Sequence, residues 1–250
     1  MDCPPRTLNK DGTMSTTTAT NKQRLVNQIF TQLGSVCKEA DEAPARPVLE
    51  EFLYAILREG HTREAADNGF DALKQNFFDW NEIRVSMNEE IVAVIGEWIT
   101  DAERRAQRII DLLQEVFEST FSFDLEGLDK KGVKQAGKAL SRYQASSDYA
   151  VAWVTQKSLG GHALPLDAAA LRALRRLHLI EDNLNDLEAI RASLEHQIPK
   201  AKGVQFVDLI SHLTKNHCWE EAPACPHCPL RAACPTGMAA KPAKAAKKPR

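Results

Sequence analysis

The chain is predicted to be all-α, on three observations. From Lys22 onward apolar residues recur every three to four positions. No stretch alternates apolar and polar residues for long enough to make a strand. Proline, glycine and Ser/Thr/Asp start and stop signals fall between the periodic runs. About ten helices joined by short loops follow from this pattern. The 250 residues suffice for one large or two modest domains. With 43% hydrophobic and 26% charged residues, the composition is that of a chain able to build a core.

The elements follow in order. Residues 1–20 are polar and low in complexity (STTTAT) and read as disordered, with Met1 or Met14 as the start. Leu25, Ile29, Leu33 and Val36–Cys37 mark the first helix. Pro47 opens a second, whose apolar stripe is Leu49, Phe52, Leu53, Ile56 and Leu57, and Gly60 stops it. Thr62 starts a third, ending near Phe77–Phe78. Ser86 with Glu89, and Thr100 with Glu103, read as capping boxes for the next two. Residues 130–142 form a lysine-rich helix and 147–158 an apolar one. Gly160–Gly161 break the chain, Asp167 caps a helix to Leu177, and helices over about 184–197 and 204–216 complete the pattern.

Charge is uneven. The net charge is −2, yet residues 239–250 (AAKPAKAAKKPR) carry five positive charges and no acid, which leaves −7 on residues 1–238. A basic tail on a mildly acidic body implies that any nucleic-acid contact is made by local patches. The tail suits non-specific phosphate binding and cannot read a base sequence. The longest apolar runs, such as 91–96 and 149–154, are too short to span a bilayer. The opening MDCPPRTLNKDG lacks the apolar stretch of a secretory signal. A cytoplasmic protein without a membrane partner is expected.

Four of the six cysteines fall together as Cys218-x6-Cys225-x2-Cys228-x5-Cys234. In a reducing compartment such a cluster reads as metal binding before disulfides. Four thiolates on a compact loop can each hold one iron of a [4Fe–4S] cube. The prolines of PACPHCPLRAACP stiffen that loop. A structural zinc site, recruiting His217 or His227, is the competing reading, although zinc sites usually pair two short Cys-x2–4-Cys units and only one is present. Cys37 reads as core and Cys3 as part of the disordered start.

The x6-x2-x5 spacing resembles the C-terminal cluster loop of the endonuclease III-like helix-hairpin-helix DNA glycosylases. The resemblance spans about residues 23–236, through Trp80–Ser86 (WNEIRVS), the segment 143–151 (YQASSDYAV), and Pro165-Leu-Asp167 with the helix after it. It implies a two-lobed fold with an iron–sulfur cluster loop, divided as follows. Residues 22–45 are a first helix packing with the C-terminal domain; 46–162 a helical domain with a degenerate hairpin; 163–236 the aspartate helix and cluster domain; 237–250 a basic tail. The implied cofactor is a [4Fe–4S] cluster on Cys218, Cys225, Cys228 and Cys234. The implied partner is double-stranded DNA, bound by a monomer, nucleoid-associated if the source is bacterial.

The resemblance also assigns roles. Asp167 matches the family's catalytic aspartate: a carboxylate near C1′ stabilises an oxocarbenium-like sugar and positions water. An aspartate there is equally an ordinary helix N-cap, and the two roles are compatible. Tyr149 falls where bifunctional members carry the lysine that forms a Schiff base. The family hairpin reads Leu-Pro-Gly-Val-Gly, whereas Tyr143, Gln144, Ala145, Ser146 and Ser147 stand here without a glycine. Ser146 and Ser147 are left to donate to phosphate, while Asp148 adds a negative charge. Gly60 stands where many relatives carry a base-replacing glutamine, with His61 beside it. Lys130, Lys131, Lys134, Lys138, Arg142 and Arg231 are the DNA-binding candidates. Arg172, Arg175 and Arg176 are expected to pair partly with acids.

Two functions follow. One is a monofunctional DNA N-glycosylase that flips out a damaged or mismatched base, with no lyase step because Tyr149 replaces the lysine. The other is a catalytically impaired, DNA-binding iron–sulfur paralogue, suggested by the missing glycines, Tyr149 and Gly60. A redox role for the cluster itself is weaker, since no second cofactor motif is present. The lesion is not legible in the sequence.

Overall fold

The computed structural model describes residues 13–35 and 46–240, among which are twelve α-helices and no strand. Cys3, Cys37 and the basic tail from residue 241 lie outside the described residues. Helix α1 (Thr13–Gly34) begins ahead of Lys22, so residues 13–20, expected to be disordered, are helical. Extending an existing helix costs little, because each added residue brings its own hydrogen bond.

The first lobe is built on α2 (Val48–Arg58), in which every residue but Glu50 is buried. Burying a leucine, isoleucine or phenylalanine side chain stabilises by roughly 1.5–3 kcal/mol, so a helix buried on all sides becomes the core of its lobe. Around it pack α3 (Arg63–Asn76), α6 (Ala102–Thr120) and α8 (Asp148–Lys157). The short α4 (Trp80–Val85) and α5 (Asn88–Ile95) lie along α6. Helix α7 (Val133–Leu140) pairs with α8 as the hairpin. The residue at 161 must be small: a Cβ there would meet Thr155 Cγ2 at 2.5 Å and Val133 Cγ1 at 2.7 Å.

The second lobe holds α9 (Ala168–Arg176), α10 (Leu187–Glu195), α11 (Gly203–Asn216) and α12 (Pro235–Ala239). Helix α1 packs against α11, with the rings of Phe30 and Phe206 6.1 Å apart and Lys22 3.5 Å from Glu181. Among the described residues no helix is long and apolar enough to cross a membrane.

Three local expectations are corrected. Met87, not Ser86, caps α5: its N–H donates to Glu90 at 2.8 Å, while the Ser86 hydroxyl turns back to the Glu82 carbonyl. Asp101, not Thr100, precedes α6, because the Thr100 hydroxyl is held at 2.7 Å by the His61 ring. The lysine-rich helix is split. Lys130 and Lys131 lie in a 3-10 turn (Glu126–Lys131), and Gly132 at φ 76° breaks the chain before α7. Leu125 and Leu128 are buried beneath that turn, and their anchoring outweighs the lysines' helical spacing.

One polar group lies inside the apolar centre. Glu51 is fully buried and accepts from Trp153 Nε1 at 2.7 Å and from the Arg46 N–H at 3.1 Å. Trp153→Phe keeps an aromatic ring but takes one donor from a buried carboxylate. We expect a loss of about 1–3 kcal/mol in urea-unfolding free energy. An unchanged unfolding midpoint would remove Glu51 from the interactions that fix α8 on α2.

Candidate active site and cluster loop

The site forms where the lobes meet. Asp167 caps α9, its Oδ1 accepting the Ala170 N–H at 2.7 Å. Its Oδ2 accepts the Gly60 N–H at 3.1 Å, from the loop that ends α2 in the other lobe. Gly60 has φ 78°, a left-handed conformation that glycine adopts without strain. Gly60 thus supplies a backbone donor that fixes the carboxylate.

Beside Asp167 lies a small cavity lined by Arg58, Tyr149, Leu166, Ala170 and Ser211 among others. Arg58 is 1% exposed and answers to the second lobe. Its Nη2 donates to Asp208 at 2.7 Å, and its Nη1 donates to Ser211 Oγ at 3.2 Å and to the His61 carbonyl. Tyr149 is 2% exposed and stacks on Trp153 with ring centroids 6.3 Å apart. Burial, partly opposed by Arg58, pushes its hydroxyl pKa well above the ordinary tyrosine value. Tyr149 remains a neutral phenol at physiological pH.

Sequence reasoning missed Arg58, Glu59, Ser211 and Lys215. Arg58 had a signal, since it stands four residues after Tyr54 within an apolar run. Glu59 had none. Its carboxylate accepts from Arg108 at 2.9 Å, from Ser147 Oγ at 3.0 Å and from Arg105 at 3.3 Å. Burial works to raise its pKa, but the Arg108 bond and charge, with Arg105 and Ser147, hold it below the usual carboxylate range. Lys215, half-buried on α11, has its pKa lowered by burial while the Asp167 charge acts in the opposite sense.

The hairpin differs from the expectation. Ser147 caps α8, accepting the Ala150 N–H at 3.2 Å, and its hydroxyl points to Glu59. The Ser146 hydroxyl is buried without a partner. The Ser147 hydroxyl is turned to Glu59 behind the hairpin, and the Ser146 hydroxyl is shielded from solvent. The Gln144 N–H donates to Glu115 at 2.7 Å, and Arg108 Nε donates to the Ala145 carbonyl at 3.2 Å. Lys130, Lys131, Lys134, Lys138, Arg142 and Arg231 are all exposed, as is Asp148. Lys130 and Lys131 lie in the 3-10 turn, Lys134 and Lys138 on α7 and Arg142 just after it, while Arg231 is on the cluster loop.

His61 is not a surface wedge. It is 4% exposed; the Thr100 N–H donates to its Nε2 at 3.0 Å, so Nδ1 carries the proton and faces the Glu59 carbonyl at 3.2 Å. Burial, followed by the charges of Lys215 and Arg105, lowers its pKa to about 4.

The four cysteines of the loop ring one cavity, with Arg176, His217 and Leu230 also in its wall. Donors reach the sulfurs: Arg176 Nη1 lies 3.6 Å from Cys218 Sγ and the Gly237 N–H 3.3 Å from Cys234 Sγ. Burial pushes the Cys228 thiol up to about 11. Among the described residues no three His, Cys, Asp or Glu side chains converge on a single-ion site. Arg172 and Arg176 serve the same loop, donating to the carbonyls of Cys218, Trp219 and Glu220, while Arg175 donates to Leu184; only Arg172 also reaches an acid, Glu220, at 3.8 Å. Their expected pairing with acids is therefore largely replaced by bonds to backbone.

No family model and no curated protein sequence matches the chain. Solved structures do. A trapped endonuclease III–DNA covalent intermediate is 16% identical at a TM-score of 0.61, over 87% of this chain and 97% of that one. A thermostable thymine-DNA glycosylase is 19% identical at 0.62, over 89% and 99%. The 3-methyladenine DNA glycosylase of H. pylori, bound to 1,N6-ethenoadenine, is 14% identical at 0.53, over 78% and 93%. The chain shares the all-α fold of these solved structures.

The lowered pKa of His61 has a consequence for stability. In the unfolded chain the imidazole takes up a proton near its ordinary value of 6.5, and in the folded protein only near 4. Its contribution is complete above pH 6.5 and is lost as the pH falls from there toward 4. His61→Leu removes that dependence. The stability difference between wild type and variant is expected to shrink by about 2 kcal/mol from pH 7 to pH 5. Parallel curves for the two proteins would place a charged imidazole in the folded state.

Proposed function

We propose that the chain is a monofunctional DNA N-glycosylase of base-excision repair. The observation that supports this most is the carboxylate of Asp167, tied to amides of both lobes at the rim of a buried cavity. A duplex lies along the exposed Lys130, Lys131, Lys134, Lys138 and Arg142, with Arg231 of the cluster loop touching the backbone. The damaged or mismatched nucleotide leaves the stack and places C1′ beside Asp167. As the N-glycosidic bond breaks, positive charge develops on the sugar and the carboxylate stabilises it. The same group accepts the proton of the attacking water. Each oxygen of Asp167 already accepts one N–H and keeps a lone pair free for the water. Tyr149 has no amine, so the hairpin offers no Schiff base and no strand cleavage.

The cysteines suit a [4Fe–4S] cluster. Cys218, Cys225, Cys228 and Cys234 surround one cavity and N–H groups point at two of the sulfurs. When bound, the cluster supplies a crosslink that fixes the loop, and does no hydrolysis. The Cys228 thiol, pushed up to about 11 by burial, gives up its proton readily only to a metal, so cluster binding and folding of this loop are coupled.

The impaired-paralogue reading keeps one observation of its own. The Gln144 N–H, which faces the side a phosphate approaches, is already bonded to Glu115, and Asp148 stands exposed beside it. DNA is then held by the lysines alone.

One variant separates the readings. Asn caps a helix as well as Asp does, so Asp167→Asn preserves α9 while removing the charge. Duplexes carrying uracil, oxidised pyrimidines, alkylated purines or mismatched adenine are incubated with the protein and scored for abasic sites. Release by the wild type and a loss of at least roughly 100-fold in Asp167→Asn is expected. Binding without release from any duplex selects the paralogue. Borohydride is expected to trap no covalent adduct, and a trapped adduct would overturn the monofunctional assignment. Anaerobically purified protein is expected to carry one [4Fe–4S] cluster per chain, lost in Cys225→Ser. A zinc-replete, iron-free preparation would replace the cluster with the alternative metal.

A further inference from the structure

Two donors beside Asp167 have nothing to donate to. The terminal nitrogens of Arg58 are engaged, but its Nε is buried without a partner. The Tyr149 hydroxyl is in the same position. Both side chains are at least nine-tenths buried and both line the cavity that reaches Asp167. That cavity measures about 10 Å³, space for one oxygen atom and not for a ring. Its other walls include the apolar Leu166, Ala170 and Ile210, with Asp167 and Ser211, whose oxygens already accept from Gly60, Ala170 and Arg58. Buried donors left unpaired are costly, and native proteins seldom keep them without a use.

We propose that this cavity is an acceptor subsite for one protruding oxygen, and that it receives the exocyclic carbonyl of the extruded base. This rests on the glycosylase reading and narrows it to bases carrying an oxo group where a normal or competing base carries an amino group. The discrimination follows from proton inventory. The guanidinium Nε–H of Arg58 can only donate, so an amino group set against it leaves two N–H groups facing each other. A ring nitrogen is flush with its ring and does not reach into a space of this size. A site built to donate to an oxygen rejects an analogue that lacks one far more strongly than an apolar pocket rejects a change of size.

The test reads binding, so it does not depend on turnover. Duplexes carry 2′-fluoro nucleotides that resist hydrolysis, in two pairs: guanosine against 2,6-diaminopurine riboside, and inosine against adenosine. Each sits opposite an abasic spacer, so that pairing strength is equal within a pair. The oxo member is expected to bind at least roughly tenfold more tightly in both pairs. Arg58 is too deeply bonded to replace safely, so Tyr149→Phe is the variant: it removes one hydroxyl that has no partner. Thermal stability is expected to stay level or rise, and the oxo preference to fall at least threefold. Equal binding within both pairs, or a preference untouched in Tyr149→Phe, overturns the subsite. Release of oxo and amino bases at equal rates sinks the subsite and leaves the glycosylase. A clear oxo preference with no release from any duplex keeps the subsite and removes the enzyme.

Discussion

A guanidinium with no route to water must be answered by acceptors, and Arg58 is where this protein meets that demand. It ends the central helix of one lobe and finds its partners, Asp208 and Ser211, on α11 of the other. Removing Asp208 strands a buried charge, a change that typically costs about 3–5 kcal/mol. The lobes are therefore held in one relation by a polar lock set among apolar side chains. The loop after Arg58 follows from this. His61 turns its carbonyl onto Arg58, Gly60 turns its N–H onto Asp167, and Glu59 turns outward to the hairpin. Arg58, Glu59 and Gly60 thus bind three different elements, and His61 closes back on Arg58.

The hairpin shows what replaces glycine when backbone amides are not laid open. Ser147, Arg108, Arg105 and Glu59 form a charged network behind it, and Glu115 closes the Gln144 amide. These bonds stiffen the turn from the protein side. The long cationic side chains around it, Lys130 to Arg142, stand exposed to solvent. In this chain the turn is a strut bonded from behind. Asp167 gains from it, since the network that holds Glu59 also holds the Gly60 amide beside it.

Much was legible beforehand where the signal is local. Thr62 and Asp167 cap their helices as their spacing indicated, with hydroxyl and carboxylate oxygens on the expected amides. The four cysteines ring one cavity because a short, proline-stiffened loop has few ways to spread them. Local signals failed where a distant partner competed. The Thr100 hydroxyl went to His61 instead of a helix end, and the lysine run broke at Gly132 because buried leucines pinned the preceding turn. Ser147 looks like a phosphate donor only as long as Glu59 is out of view.

By itself, then, the sequence determined the helical class, most helix ends, the cysteine loop and the position of Asp167. These depend on periodicity and on bonds between residues a few positions apart. Only the tertiary structure decided that Arg58 would be sealed between the lobes, that Gly60 would serve as a donor, and that Tyr149 would face an empty space with nothing to bond. Those outcomes require groups separated by about a hundred residues to meet in a medium without water. There each polar atom must take whatever partner the packing brings, and no pattern along the chain records which one that will be.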